Sequence, residues 1–518
     1  MKKNPRLTGC TGCAISRRNF MAAGCAACAG AVMAAPGPVR AAANGKFKIR
    51  VVYSLHAAVQ PGPDWPNVGF NFTPVMERIN AALANGCPEF EFVASMAAGP
   101  EQAEKILEQD KNAGIDGYIV YQMNPWNKVI QKLAEAGKPI LYADYKYAGS
   151  GGFLIYNAGF MRRENNNIGF VSSSRMEDLV AAARCFKLVK SGNGLADFVA
   201  ATAKARIGAT PAASEYAVKP DALNTLPFDE WQERMKASKI LAIRDQSSGA
   251  EGNWLGAPVE KVPFAELNEA WAAADKDEAK TIADRWEETA LVIRDVSRET
   301  LETSAAMYLG EKAVLKKHGA NAISINCLGG FYGGHIHAYP CLGFYELNNE
   351  GLIGACECDV QSTATMLAFT TLTGGRPGYI SDPVLDSAKR QIIYAHCVAS
   401  SKMFGPEGQT NPIEILTHSE DRQGACVRSI MPLGYMVTTM KLDPNRKEIV
   451  FHQGKAVEND PDDRACRTKL CAEPVGDFEK MFTLWDRWGW HRVTFYGDLK
   501  KPVFALADKI GWKVVQEA

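Results

Sequence analysis

Between Lys48 and Tyr145 the chain alternates short β-branched runs with longer amphipathic ones, and few folds accommodate that rhythm. KIRVVYSL (48–55), FEFVASM (90–96), DGYIVYQ (116–122) and KPILYADY (138–145) read as strands. FTPVMERINAALANG, GPEQAEKILEQDKNAG and NPWNKVIQKLAEAG between them read as helices, with Pro74 suited to a first turn and Gly86 to an exit. Strand–helix units of this length predict a parallel sheet covered by helices, a Rossmann-like domain over residues 44–170. No Gly-x-Gly-x-x-Gly turn follows the first strand, so no dinucleotide is implied.

The helical stretch SRMEDLVAAARCFKLVKSG opens a second α/β domain, residues 171–383. Its strands are KILAIRD (239–245) and NAISIN (321–326), with helical material over Glu266–Glu288 and Arg298–His318. From residue 384 to 518 the character changes. YMVTTMKLD, KEIVFHQGKAV and HRVTFYGD are short and β-prone, separated by Pro, Gly and Asp, and predict a β-rich, barrel-like domain closed by a helix at Pro502–Ile510. The expected fold class is α/β, with two Rossmann-like parallel-sheet domains followed by a β-rich C-terminal domain.

The first 43 residues read as an address. Arg17 and Arg18 precede an Ala/Gly-rich apolar run, Met21–Ala35, and the small residues Ala41–Ala43. That is the pattern of a twin-arginine export signal, with a periplasmic or extracellular destination. The run is too short and weakly apolar for a membrane span, and no later stretch is long and apolar enough, so no integral membrane segment is expected. Lys plus Arg and Asp plus Glu balance at 58 each, which gives no footprint for nucleic acid. Cys10-x-x-Cys13 and Cys25-x-x-Cys28 have zinc-like spacing but fall within the signal. Of the other cysteines, eight lie beyond residue 320. Export permits disulfides, whereas twin-arginine transport moves chains already folded in a reducing cytosol, so buried thiols and bridges both stay open.

Chemistry concentrates around GACECDVQS (354–362), which sets Glu357 and Asp359 among Cys356 and Cys358. GLIGAC reads as a short buried strand, and Val360, Ala364, Leu367, Ala368 and Leu372 recur at helical spacing. Asp359 stands at the capping position, and GYIS, ending at Asp382, reads as the next strand. If the two strands neighbour each other in a parallel sheet, Glu357 and Asp382 lie about 5 Å apart at its carboxyl edge. Carboxylates that close require a bound cation or a shared proton. Strand alternation would turn Cys356 and Cys358 into packing and Glu357 toward the site. His335 and His337 in GGHIHAYP would share a strand face, as structural or substrate-facing residues or as two zinc ligands lacking a matching third. His396 follows Asp382 by one short helix, and His491 sits among Trp485, Trp488 and Trp490, indoles suited either to the core or to the apolar face of a sugar.

The run from Pro340 to Gly374, the ISD ending at Asp382, and HRVTFYGDLKKPVFALADKIG (491–511) resemble the L-fucose isomerase and L-arabinose isomerase superfamily. The resemblance implies that Glu357 and Asp382 bind a divalent metal and act in proton transfer, and that His491 is the late histidine ligand. His396 resembles an additional histidine of the arabinose branch; His396, His337 and Trp490 are the expected substrate contacts. The implied metal is Mn²⁺, or Co²⁺ or Mg²⁺, and the implied reaction interconverts an open-chain aldose and ketose through an enediol. The resemblance also implies a monosaccharide substrate and a homotrimer or homohexamer. At position 358 the family usually carries Gly or Asn, where this chain has Cys. An exported sugar-binding protein with paired α/β lobes and no turnover is the alternative.

Overall fold

The computed structural model describes residues 46–163, 166–245 and 247–518, so the expected export signal lies outside the described residues. Strands β1 (Phe47–Ser54), β2 (Phe90–Ala97), β3 (Gly117–Gln122), β4 (Ile140–Asp144) and β5 (Ile168–Val171) form one wholly parallel sheet in the order β2-β1-β3-β4-β5. β3 and β4 are buried at every position, as apolar strands must be when helices cover both faces.

A second sheet contains β6 (Ile240–Ile243), β7 (Gly249–Trp254) and β8 (Ala257–Val262). Past a short β9 (Val292–Arg294), it is completed by β10 (Ala322–Ile325) and β11 (Ile353–Cys356), in the order β11-β10-β6-β8-β7. Only β7 runs antiparallel, against β8. Its helices include 298–318, which ends at Gly319 in the left-handed conformation, and 360–372, buried along most of its length.

The C-terminal third is a closed barrel. β12 (Tyr379–Asp386) and β13 (Gln391–His396) form a hairpin; β14 (Ile413–Leu416) and β15 (Cys426–Ser429) join β9 in a small separate sheet. β16 (Met436–Asp443), β17 (Glu448–Asn459), β18 (Thr468–Pro474) and β19 (Arg492–Tyr496) complete the circuit β16-β19-β12-β13-β18-β17, sealed by pairing of β16 with β17. All six staves are antiparallel to their neighbours. The helix near the end spans Lys500–Ile510, and a further strand, β20 (Lys513–Gln516), which the sequence reading lacks, pairs in parallel with β17.

Three local expectations are overturned. β12 does not sit beside β11 in a parallel sheet: it is a barrel stave, and Asp382 lies within it rather than at its carboxyl end. No helix separates Asp382 from His396, since a turn joins β12 directly to β13 and Asp382 pairs with Ala395. Residues 333–340 form turns and bends rather than a strand, so His335 and His337 share no strand face. In each case the local pattern marks an extended or polar segment, and tertiary pairing decides which partner it meets.

Candidate active site

The site forms where the end of β11 meets the barrel wall. At Cys356 the strand stops, and Glu357 and Cys358 both adopt the left-handed conformation, with φ of 60° and 50°. That double turn carries Glu357 out of the sheet toward the barrel, while Cys358 N–H bonds back to Ile325 O at 3.0 Å. Two successive non-glycine residues with positive φ are costly, and such strain concentrates at functional sites. The geometry also explains why Gly or Asn suits position 358: both tolerate this region. Cys358→Asn is therefore expected to stabilise the fold by about 1 kcal/mol, read as a raised midpoint in urea unfolding. A lowered midpoint would mean that the thiol's contacts outweigh the strain.

Three barrel strands supply the other side. Asp382 lies on β12, His396 ends β13, and His491 stands immediately before β19, where Arg492 pairs with Ser381. Ligand atoms of Glu357, Asp382, His396 and His491 all lie within 4.8 Å of one another. Asp382 and His396 are buried, whereas Glu357 and His491 are partly exposed at the mouth. The parallel-neighbour argument for Glu357 and Asp382 thus fails, yet their carboxylates converge across two different sheets.

Asp359 fixes His491. Its carboxylate caps the 360–372 helix, accepting from Ser362 N–H at 2.9 Å, and also takes His491 Nδ1 at 2.9 Å and Lys441 Nζ at 2.8 Å. Burial opposes its charge, but the Lys441 ammonium and the His491 hydrogen bond hold the Asp359 carboxyl well below its ordinary range. Nδ1 of His491 must then donate, which points Nε2 at Asp382 Oδ1, 3.1 Å away, and Glu357 Oε2, 3.6 Å away. Sequence spacing identifies the cap; nothing local signals Lys441, on a strand some eighty residues later.

These distances bear on a metal. Ligands about 2.1 Å from a hard divalent ion lie about 3 Å apart at neighbouring octahedral positions, close to the separations around His491 Nε2. A ligating histidine that gives its other N–H to a carboxylate is the usual arrangement at metal centres. Without a cation, charge balance falls to the imidazole itself. Burial disfavours its charged form, but hydrogen bonds to Asp359 and Asp382 and the nearby charges push His491 up to about 10. Two carboxylates and one anchored imidazole suit Mn²⁺, Co²⁺ or Mg²⁺.

His396 has a different bond pattern. Its Nδ1 accepts from Cys397 N–H at 3.0 Å, so Nε2 carries the proton, and among the described residues this buried nitrogen meets no hydrogen-bond partner. A donor aimed among two carboxylates and His491 is placed to meet a substrate oxygen. The remaining expected contacts lie elsewhere. His337 is exposed, its ring 5.9 Å from that of Trp271, and it is not among the converging residues. His335 stacks on Phe264. Trp490 is buried, donates Nε1 to Pro383 O at 2.7 Å and packs edge-on against Trp65 and Trp126, bracing the barrel against the first sheet.

Two outcomes follow. Asp359→Asn keeps an equally good cap but removes the anion that orients His491, and is expected to weaken Mn²⁺ binding about 10- to 100-fold in a calorimetric titration. Unchanged affinity would remove Asp359 from the orienting role. For metal-stripped protein, the raised value of His491 means that its stabilisation is complete below the ordinary 6.5 and is lost as pH rises through about 10. The unfolding free-energy difference between wild type and His491→Gln should shrink over that window; a flat difference contradicts the assignment.

No protein-family model matches the chain. Among curated proteins, the sulfoquinovose isomerase of Clostridium sp. (strain MSTE9) is 24% identical over 266 residues, 49% of this chain and 57% of that protein. Those of Priestia aryabhattai (27% over 92 residues, 17% of this chain) and Alkalicoccus urumqiensis (24% over 109 residues, 21% of this chain) match shorter stretches, 20% and 24% of their lengths. The chain therefore spans about half the length of the first and a quarter or less of the others. Alignments to the transcription regulator CcpA of Lactococcus lactis (12% identity, 54% of this chain, 78% of that one) and a CelR–cellobiose complex (14%, 54%, 68%) have a TM-score of 0.17 and carry no argument. The curated proteins that this chain is similar to are thus sugar isomerases, matched over part of their length.

Proposed function

We propose that the protein is a metal-dependent aldose–ketose isomerase of the L-fucose/L-arabinose isomerase type, built from two Rossmann-like domains and a C-terminal barrel domain that takes in β12. In this reading it is exported by the twin-arginine route to the periplasm or beyond and works as a homotrimer or homohexamer. The observation that carries the proposal is the convergence of Glu357, Asp382, His396 and His491 within 4.8 Å, with His491 oriented by Asp359. Similarity to sulfoquinovose isomerases supports it.

Glu357, Asp382 and His491 would hold the divalent ion, which when bound supplies Lewis-acid polarisation of the substrate's carbonyl and adjacent hydroxyl oxygens. The proton chemistry belongs to the side chains. One carboxylate takes the proton from C2 of the open-chain aldose, and an enediol results. The carboxylic acid so formed returns that proton to C1, while the hydroxyl proton passes from O2 to O1 through the neighbouring carboxylate. Glu357, at the mouth, is the C–H base in this scheme, and buried Asp382 is the relay. His396 Nε2–H donates to a substrate oxygen and holds the chain of carbons in register.

The test is to incubate the mature protein, loaded with Mn²⁺, with sulfoquinovose and a panel of neutral aldoses and to follow ketose formation. Conversion of any of them supports the reading. Tight sugar binding without conversion across the panel would favour a binding protein.

A further inference from the structure

Ten cysteines fall among the described residues, all as free thiols. Six of them, Cys327, Cys341, Cys356, Cys397, Cys426 and Cys466, are buried and form one connected group. Free cysteine ordinarily packs singly as a small apolar residue. Cys87, whose sulfur faces Val180 O, is of that kind. The six behave differently, because their sulfurs face one another.

The centre of the group is Cys397. Its Sγ lies 3.8 Å from that of Cys341, and the sulfurs of Cys341, Cys397 and Cys426 are all within 4.8 Å of each other. Cys466 borders the group, its Sγ accepting from Ser419 Oγ at 3.9 Å. Four sulfurs about 2.3 Å from a common ion lie about 3.8 Å apart along the edges of a tetrahedron. A disulfide requires about 2.0 Å. The Cys341–Cys397 separation is thus that of two ligands to one small ion, and Cys426 lies within reach of both.

The three residues come from three segments: the start of helix 341–349, the residue after β13 and the start of β15. Nothing in their local sequences requires a thiol. Neighbouring groups suit a net negative centre: the buried His418 imidazole and the buried guanidinium of Arg467 interact electrostatically with Cys397 and Cys426.

We propose that Cys341, Cys397 and Cys426 bind one zinc ion as thiolates, forming a structural centre separate from the carboxylate–histidine site. Three thiol protons leave as the ion enters, and a fourth, neutral ligand would complete the tetrahedron. The centre ties the small β9-β14-β15 sheet to the barrel and to helix 341–349. His396 and Cys397 are adjacent, yet each serves a different centre: hard oxygen donors on one side, soft sulfur donors on the other. That division sorts a manganese-like ion from zinc within a single chain.

The test is metal analysis of the full-length protein purified without added metal, before and after dialysis against EDTA. About one zinc per chain is expected to survive dialysis and to be released by a thiol-specific mercurial. Asp382→Asn should retain that zinc, whereas Cys341→Ser and Cys426→Ser should lose it. Because the serine variants can fail to fold, the wild type is also reconstituted with Co²⁺, where thiolate-to-cobalt charge-transfer bands and intense tetrahedral visible bands are expected. Zinc-free protein with all three thiols titratable, a disulfide among them, or zinc removed by EDTA together with the carboxylate-site metal would overturn the proposal.

Discussion

On the proposed isomerase mechanism, Glu357→Gln should leave a folded protein that isomerises sugar about 10²- to 10⁴-fold more slowly, the range over which general acid–base catalysis acts. Glutamine keeps the size of the side chain and occupies the same left-handed backbone position, so the fold is expected to change little. The loss should appear in kcat rather than KM, because a neutral amide still fills the site but cannot accept a proton from carbon. Asp382→Asn, by contrast, lies at the buried end of the site and should lower both metal affinity and kcat. Solvent-hydrogen exchange at C2 of the substrate separates the two roles: it should vanish in Glu357→Gln even at saturating metal. Residual activity within tenfold of wild type would dismiss Glu357 as the base.

Glu517→Gln is expected to cost about 3–5 kcal/mol of stability, the range for breaking a buried ion pair while leaving its partner charged. Glu517 and Arg492 are both fully buried, 2.5 Å apart at their closest atoms, and His452 Nδ1 lies 2.9 Å from the same carboxylate. The guanidinium of Arg492 also lies 4.2 Å from the centroid of the Trp485 ring. Burial opposes the charge on Glu517, but Arg492 and the hydrogen bond from His452 hold it down at about 2. A depressed carboxylate gives stability that is present above its ordinary value of 4.5 and lost as pH falls through about 2. Wild type should therefore lose its advantage over the variant in acid, as read from urea unfolding at a series of pH values. Because Arg492 also donates to His491 O at 3.0 Å, the variant should bind metal more weakly as well. A stability loss below about 1 kcal/mol would mean that the network behaves like a surface pair.

Four strands of the first sheet were legible because each is a compact apolar run set off by an amphipathic helix, and parallel pairing follows from the connections, whereas β5 (Ile168–Val171) was not read as a strand. The barrel's β character was legible too, but its pairings were not. YISDPVLD carries no mark saying that it pairs antiparallel with residues 391–396 and with a strand more than a hundred residues on. Glu357 and Asp382 could be singled out by residue type and by resemblance, although the geometry offered to link them was wrong. The left-handed turn at Glu357–Cys358 was hidden because neither residue is glycine. Lys441, Glu517 and the thiol group around Cys397 were hidden for another reason: each draws its partners from segments that only the closed barrel brings together.

Barrel closure also sets a timetable. Asp359 and His491 are 132 residues apart in the chain, and at synthesis rates of roughly 5–20 residues per second the ribosome takes on the order of ten seconds to go from one to the other. Throughout that interval Glu357 and Asp382 exist without the imidazole between them, and the first cysteines of the thiol group exist without the last. Neither centre can assemble on a nascent chain whose final staves are still being made. If the two proposed centres hold metal, supply in the moments after release, rather than during elongation, would determine which ion each captures.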